Sequence, residues 1–184
     1  SSSGDFVKVG AAGAQFLKIG VGARGSAMAA NAAVTNDLSS IFWNPAGVAD
    51  VKTLGGEFSY TKWFAGFDHI FAAFSLPIGE QFTAAASATA FNSEDIEITT
   101  IQKPEGTGHY YHVSDVALGL TFAGYLTEDF SFGFNLKYIN NAFSSVSSNT
   151  FGFDVGTMYK TGFHGLKIGF ALSNLGGNMQ YRGN

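Results

Sequence analysis

Phe130-Ser-Phe-Gly-Phe-Asn-Leu-Lys-Tyr138 places five large apolar side chains at alternate positions and Ser, Gly, Asn and Lys between them. Successive side chains of a strand point to opposite faces, so this segment has one bulky aromatic face and one small or polar face. The same period of two recurs in Val116-Ala-Leu-Gly-Leu-Thr-Phe122, in Phe151-Gly-Phe-Asp-Val-Gly-Thr-Met-Tyr159 and in Leu166-Lys-Ile-Gly-Phe-Ala-Leu-Ser173. Three weaker candidates precede them: Glu57 to Trp63, Asp68 to Leu76, and Phe82 to Phe91, the last continuing through Ile96 to Thr99 after a bulge. The chain therefore reads as all-β from Gly55 onward, with about seven strands.

Alternation alone fits a soluble sandwich as well as a membrane barrel. The residue types separate them. Gly133, Asn135, Gly152, Asp154, Gly156, Gly169 and Ala171 are small for a sheet face open to water, which predicts that another segment packs there. Charged residues make up 13% of the chain, while 19 Phe and 24 Gly crowd into 184 residues, so a non-aqueous environment for the aromatic face is expected. No run approaches the roughly 20 apolar residues of a membrane helix. Strand lengths instead suit a tilted bilayer crossing, with Tyr60, Tyr125, Tyr138 and Tyr159 at segment ends as candidates for aromatic girdles. Short links at 77–81, 126–129 and 160–164 alternate with longer polar stretches at Asn92 to Tyr110 and Asn140 to Asn149, as in an antiparallel up-and-down barrel.

The first fifty residues, rich in Ala, Gly and Ser, follow another rule. A helix is expected over Thr35 to Val48, capped by Asn36 or Asp37, and Asn44-Pro45-Ala46-Gly47 supplies a turn or second helical start with Pro at a first position. Residues 1–52 are read as a helical or irregular plug and 53–184 as barrel strands. Ser1-Ser-Ser-Gly-Asp5 has no basic or apolar signal region, so a mature form is expected.

Catalytic chemistry finds little footing. The chain has no cysteine, and His69, His109, His112 and His164 are scattered and read as loop histidines. Asp95 and Glu97 read as a solvated loop flank rather than a catalytic pair, and Gly20-Val-Gly-Ala-Arg-Gly25 lacks the βαβ context of a dinucleotide loop. With a formal charge of −4 and no basic cluster, nucleic acid is not an expected partner. No enzyme activity, cofactor or metal is expected. Lys137, Asp154 and Lys167 fall on the polar face by alternation and are candidate lumen-facing charges.

Gln15-Phe-Leu-Lys-Ile-Gly-Val-Gly-Ala-Arg24, Asp37-Leu-Ser-Ser-Ile-Phe-Trp-Asn-Pro-Ala-Gly-Val-Ala49, Thr99-Thr-Ile-Gln-Lys-Pro-Glu-Gly-Thr-Gly108 and Phe130 to Ile139 together resemble the PorV/PorQ family of outer-membrane proteins, which is related more distantly to FadL-type barrels. Arg24-Gly-Ser-Ala-Met28 departs from the glycine-rich pattern of that family. The resemblance implies a transmembrane barrel of about fourteen strands, of which this chain would supply the amino-terminal half, with a lumenal plug whose motif residues here are Phe16, Arg24, Asn44, Pro45 and Gly47. It further implies the bacterial outer membrane, contact with outer-membrane lipid, and a role in type IX-like protein secretion with a translocon or exported cargo as partner. Cargo contacts would fall within Asn92 to Tyr110 and Asn140 to Asn149. A FadL-like transporter of hydrophobic small molecules is the alternative.

Overall fold

The computed structural model describes residues 17, 21, 37–62, 66–93, 96–97, 108, 110–111, 113–143, 146–176 and 180–183. A short helix α1 (Ser40–Trp43) and a 3-10 helix (Pro45–Asp50) precede strands β1 (Gly55–Lys62), β2 (Phe67–Ile78), β3 (Phe82–Ser93), β4 (Ile96–Glu97), β5 (Tyr110–Tyr111), β6 (Val113–Tyr125), β7 (Phe130–Phe143), β8 (Val146–Lys160), β9 (Lys167–Gly176) and β10 (Gln180–Gly183). The main sheet runs β1-β2-β3-β6-β7-β8, and β9 and β10 lie end to end along the free edge of β8. Every neighbouring pair is antiparallel, giving a seven-position up-and-down sheet that is not closed into a barrel.

Register fixes which side chains share a face. Leu136 sits opposite Leu120 on β6 and Phe153 on β8, and Leu120 opposite Ala86, which faces Phe74. One pleat lower on the other face, Asn135 aligns with Thr121 and Asp154, and Thr121 with Ala85 and then Ser75. The two faces differ sharply in burial. Phe58, Phe74, Leu118, Leu120, Phe134, Leu136, Phe151 and Phe170 are exposed, whereas Ser75, Thr83, Thr121, Ser131, Asn135 and Asp154 are buried. The sheet is thus bulky and apolar on its open face and small and polar on its covered face.

What covers the inner face is the segment before β1. Ile41, Leu38, Val48 and Ala49 form a cluster with Phe71 and Ala73 of β2, Ala85 of β3, Ala123 of β6 and Val21. Burying side chains of this size stabilises by about 1.5–3 kcal/mol each for the larger ones. The tail of the segment is then laced to strand ends: the Thr83 hydroxyl donates to the Val51 carbonyl at 2.9 Å, and the Ser75 hydroxyl to the Thr53 carbonyl at 3.0 Å.

Several expectations need correction. Of the helix expected over Thr35 to Val48, Thr35 and the candidate cap Asn36 lie outside the described residues; within 37–48 the α-helix is one turn, Ser40–Trp43, broken before Pro45, because proline disfavours helical backbone at the residue before it and Asn44 is extended (φ −155°). Asp37 does not cap that turn in the expected way; its carboxylate accepts from the Ser39 amide and hydroxyl. Ile96–Glu97 does not extend β3 but pairs with Tyr110–Tyr111 outside the main sheet. Asn140 to Asn149 is no extended loop: β7 runs to Phe143 and β8 starts at Val146, so the cross-strand pairs Asn140 with Asn149 and Asn141 with Ser148 sit in a long hairpin.

Candidate functional site

The inner face carries a polar network where β6, β7, β8 and β9 meet. The Thr121 hydroxyl donates to Asn135 Oδ1 at 3.1 Å, and Asn135 Nδ2 donates to Asp154 Oδ2 at 3.0 Å. Lys137 Nζ lies 2.8 Å from Asp154 Oδ1 and donates to Asn174 Oδ1 at 2.6 Å. Asn174 closes the circuit with its own amide, which donates to Asp154 Oδ1 at 2.7 Å. That geometry depends on a register shift between β8 and β9 near Asp154, where Asn174 adopts φ 59°, a left-handed conformation that Asn tolerates better than most residues. The Lys137 and Asp154 side chains are 12% and 3% exposed, so the pair is buried and its charges rest on this network.

Beside the network lies a cleft of about 280 Å³ between the inner face and α1. Ile41, Phe42, Trp43 and Phe71 give it an apolar wall; Asn135, Lys137, Asp154, Ser173 and Asn174 give it a polar one. Trp43 is held by its indole N–H, which donates to the Val21 carbonyl at 2.9 Å. Among the described residues no group of three or more His, Asp and Glu side chains converges as a metal site.

The Asn44-Pro45-Ala46 turn seats the covering segment on the sheet. Asn44 Oδ1 accepts from the Ala46 amide at 3.0 Å, capping the 3-10 helix with proline at its start, while Asn44 Nδ2 donates to the Thr157 carbonyl of β8 at 3.1 Å. Two cross-strand glycines, Gly133 and Gly156, make room for it. A Cβ at Gly156 would stand 1.9 Å from Asn44 Oδ1, and one at Gly133 2.3 Å from the Pro45 carbonyl carbon. A Gly156→Val substitution is expected to cost about 1–3 kcal/mol by overpacking and to make residues 37–54 more susceptible to limited proteolysis. Gly119→Ala, whose Cβ would meet the rotatable Ser87 hydroxyl, is expected to be milder.

At the short-turn end the segment is latched by charge. Asp50 accepts hydrogen bonds from the Tyr125 hydroxyl and from Lys160 at 3.1 Å, and it pairs with Lys167 at 3.4 Å. Lys160 and Lys52 also approach the Tyr125 ring, at 4.5 and 5.1 Å from its centroid. Burial works to raise the Asp50 pKa, but the hydrogen bonds from Tyr125 and Lys160 and the charges of Lys160 and Lys167 outweigh it and hold the carboxyl below its ordinary 3.8. A carboxyl lowered on folding stabilises the folded form above its unfolded value and loses that contribution as pH falls through the folded one. Acid titration of a Trp63→Phe variant, followed by Trp43 fluorescence, should therefore show the segment held at all pH values above about 4 and loosening below. Asp50→Asn should flatten that acid limb and weaken the latch by about 1 kcal/mol, since the lysines are partly exposed.

Neither a protein-family model nor a curated protein matches the chain. The site therefore rests on its own geometry.

The structure places the residues singled out in the sequence unevenly. Asn44 and Pro45 form the seat on β7 and β8, with Gly47 buried in the same 3-10 helix. Lys137 and Asp154 meet as an ion pair, while Lys167 is at the far end of the inner face with Asp50. Phe16 and Arg24 lie outside the described residues, as do His109, His112 and Asp95. His69 is not a loop histidine: it is 1% exposed on the inner face of β2, and its Nε2 has no hydrogen-bond partner among the described residues. His164 does lie in the β8–β9 turn. Tyr125 does not join Tyr60, Tyr138 and Tyr159 on the open face but turns inward to Asp50. Asp50, Thr121 and Asn174 were not singled out by the sequence, because each acquires its role from partners distant in the chain.

Proposed function

We propose that this chain forms part of the wall of a bacterial outer-membrane β-barrel, with the segment before β1 lodged against the lumenal face, and that it serves protein export by recognition. The observation that carries the membrane reading is the inversion of the sheet: most of its large apolar side chains stand exposed on one face, and the other face, buried, is mostly small or polar apart from Phe71, Ile139 and Met158. A soluble sandwich would pack the large faces together, and soluble monomers rarely expose contiguous apolar patches beyond a few hundred Å². Among the described residues nothing covers this face.

The limits of the apolar band support the same reading. On β7 the outward residues are Phe130, Phe132, Phe134, Leu136 and Tyr138, then Asn140. Eight residue steps at about 3.3 Å give about 26 Å of strand, or about 20 Å of depth at a barrel tilt near 40°, close to the apolar band of such proteins. At the long-connection end three strand pairs carry polar side chains on the open face. Tyr60 donates to Asp68 at 2.7 Å, Ser114 donates to Asn92 at 2.8 Å, and Asn140 bonds Asn149. No helix among the described residues is long and apolar enough to cross a membrane, which leaves strands as the spanning elements of this reading.

Export, rather than passive structure, is the expectation attached to the PorV/PorQ resemblance, and the inner-face network and plug seat are compatible with a lumen kept shut while outer loops bind partners. Its test is affinity isolation of the native protein in mild detergent with mass spectrometry of what accompanies it. Co-isolation of a large translocon barrel or of exported proteins supports export. A lone protein carrying a bound hydrophobic small molecule contradicts it and favours a FadL-like transporter, for which the apolar wall of the cleft, Ile41, Phe42, Trp43 and Phe71, is the specific support.

A further inference from the structure

Near the long-connection end of the inner face, one row of side chains carries a charge and two oxygens that its neighbours do not balance. Elsewhere on that face Asp154 pairs with Lys137, and Asp50 takes Lys160 and Lys167. Asp115 of β6 has no ion-pair partner among the described residues, and its carboxylate accepts from Asn141 Nδ2 of β7 at 2.7 Å. Asn141 in turn stands between Asp115 on one side and Ser148 of β8 on the other. Asn141 is 7% exposed and Ser148 2%. Their side-chain oxygens, Asn141 Oδ1 and Ser148 Oγ, have no hydrogen-bond partner among the described residues.

One row nearer the middle of the sheet the same face turns apolar, where Ala117 and Ile139 pack with Leu17 and Phe91. A half-buried carboxylate beside such a floor lacks much of the water that would screen it, and a buried oxygen without a partner keeps the cost of its desolvation. The Asn141 amide joins the two problems. With Nδ2 committed to Asp115, Oδ1 is turned away from the carboxylate, and the carboxylate, by accepting the N–H, makes Oδ1 the more strongly negative end. A water bridging Oδ1 and Ser148 Oγ would satisfy both oxygens and leave the charge of Asp115 as it was. A divalent cation would overshoot the single carboxylate of the row and leave a net positive charge in its place.

We infer that Asn141 Oδ1 and Ser148 Oγ hold a monovalent metal cation of the sodium class, with Asp115 supplying the counter-charge through the Asn141 amide and water completing the shell. Donors that are all oxygen suit such a hard ion, and one carboxylate with one monovalent cation sums to zero. The site also has a structural consequence. Asn140, Asn141, Ser147, Ser148 and Asn149 are poor strand formers in the long β7–β8 hairpin, and an ion shared by Asn141 and Ser148 ties its two strands together there. The inference stands on the covered face alone, so its failure leaves the barrel reading untouched.

Urea unfolding of the native protein, in vesicles or in buffer, tests it as sodium chloride replaces choline chloride at constant ionic strength. The folded-to-unfolded ratio is expected to rise with sodium, approaching about tenfold for each tenfold increase above the dissociation constant. Asn149→Ala, on the open face, should keep that response, and Ser148→Ala should weaken it. Asp115→Asn should abolish it and yet be at least as stable as the native protein in choline alone, because the unbalanced charge is gone. Absence of a sodium response in the native protein, the outcome of a bound water only, overturns the inference. An undiminished response in Ser148→Ala overturns it too, as does an equal loss of stability from Asp115→Asn in both salts. A response to millimolar calcium in choline with none to sodium overturns the monovalent assignment. If Asp115→Asn does not fold, the comparison of Ser148→Ala with Asn149→Ala decides alone.

Discussion

Asp154→Ala is expected to destabilise the protein by about 3–5 kcal/mol, as when one partner of a buried ion pair is removed. The cost lies less in the lost attraction than in what stays behind. Lys137, 12% exposed, would keep Asn174 Oδ1 as a partner but no counter-charge, and Asn135 Nδ2 and the Asn174 amide would each lose an acceptor. The β8–β9 register shift depends on that amide contact, so β9 is expected to loosen first. Asp154→Asn should be less harmful, since it keeps an acceptor. The double variant Lys137→Met/Asp154→Ala should recover much of the loss because no buried charge remains. Urea unfolding of the vesicle-reconstituted protein across this cycle measures the coupling, and additive effects would argue that Lys137 is hydrated rather than dependent on Asp154.

The second large effect is depth-dependent. Leu120 is 66% exposed at the middle of the open face, so in water Leu120→Arg would cost little. Facing lipid near mid-depth, the same substitution should cost about 2–4 kcal/mol, while Asn140→Arg, at the polar rim, should cost about 0–1 kcal/mol. Equal, small effects at both positions in vesicles would contradict a membrane-facing sheet. The gradient matters more than either value, because a general loss of packing would not follow distance along the strand.

Legibility in the sequence followed the range of the interactions. The strands of β6 to β9 were readable because alternation is a local signal, and the polar side of Phe130 to Tyr138 correctly placed Asn135 and Lys137 on one face with Asp154. The same signal underestimated strand length: Asn140 to Asn149 looked like a loop because Asn and Ser are poor strand formers, yet cross-strand pairing carries them as ladder. Asn44-Pro45 was legible as a turn, since proline acts on its own neighbours. What the turn rests on was not, because Gly133 and Gly156 are about ninety and more than one hundred residues away and reveal their purpose only once their missing Cβ atoms are seen to admit Asn44 and Pro45. Asp50 shows the same limit. A lone acid after Val48-Ala49 gives no hint that Tyr125, Lys160 and Lys167 converge on it.

His69 marks a different limit. Its Nε2, Asn141 Oδ1 and Ser148 Oγ are buried without hydrogen-bond partners among the described residues, and all three belong to one transverse row of the inner face, which runs from His69 through Phe91 and Asp115 to Asn141 and Ser148. Period-two reading placed polar residues inward but had no means of telling which would find partners.

The most direct measurement of the central claim is the accessibility of spin labels on single cysteines at Leu120, Leu136, Ser173 and Asn140 in the vesicle-reconstituted protein. If the open face meets lipid, labels at Leu120 and Leu136 collide readily with oxygen and hardly at all with a water-soluble nickel complex, and labels at Ser173 and Asn140 show the reverse. Ready access of the nickel complex to Leu120 and Leu136, equal to that at Asn140, would contradict the account.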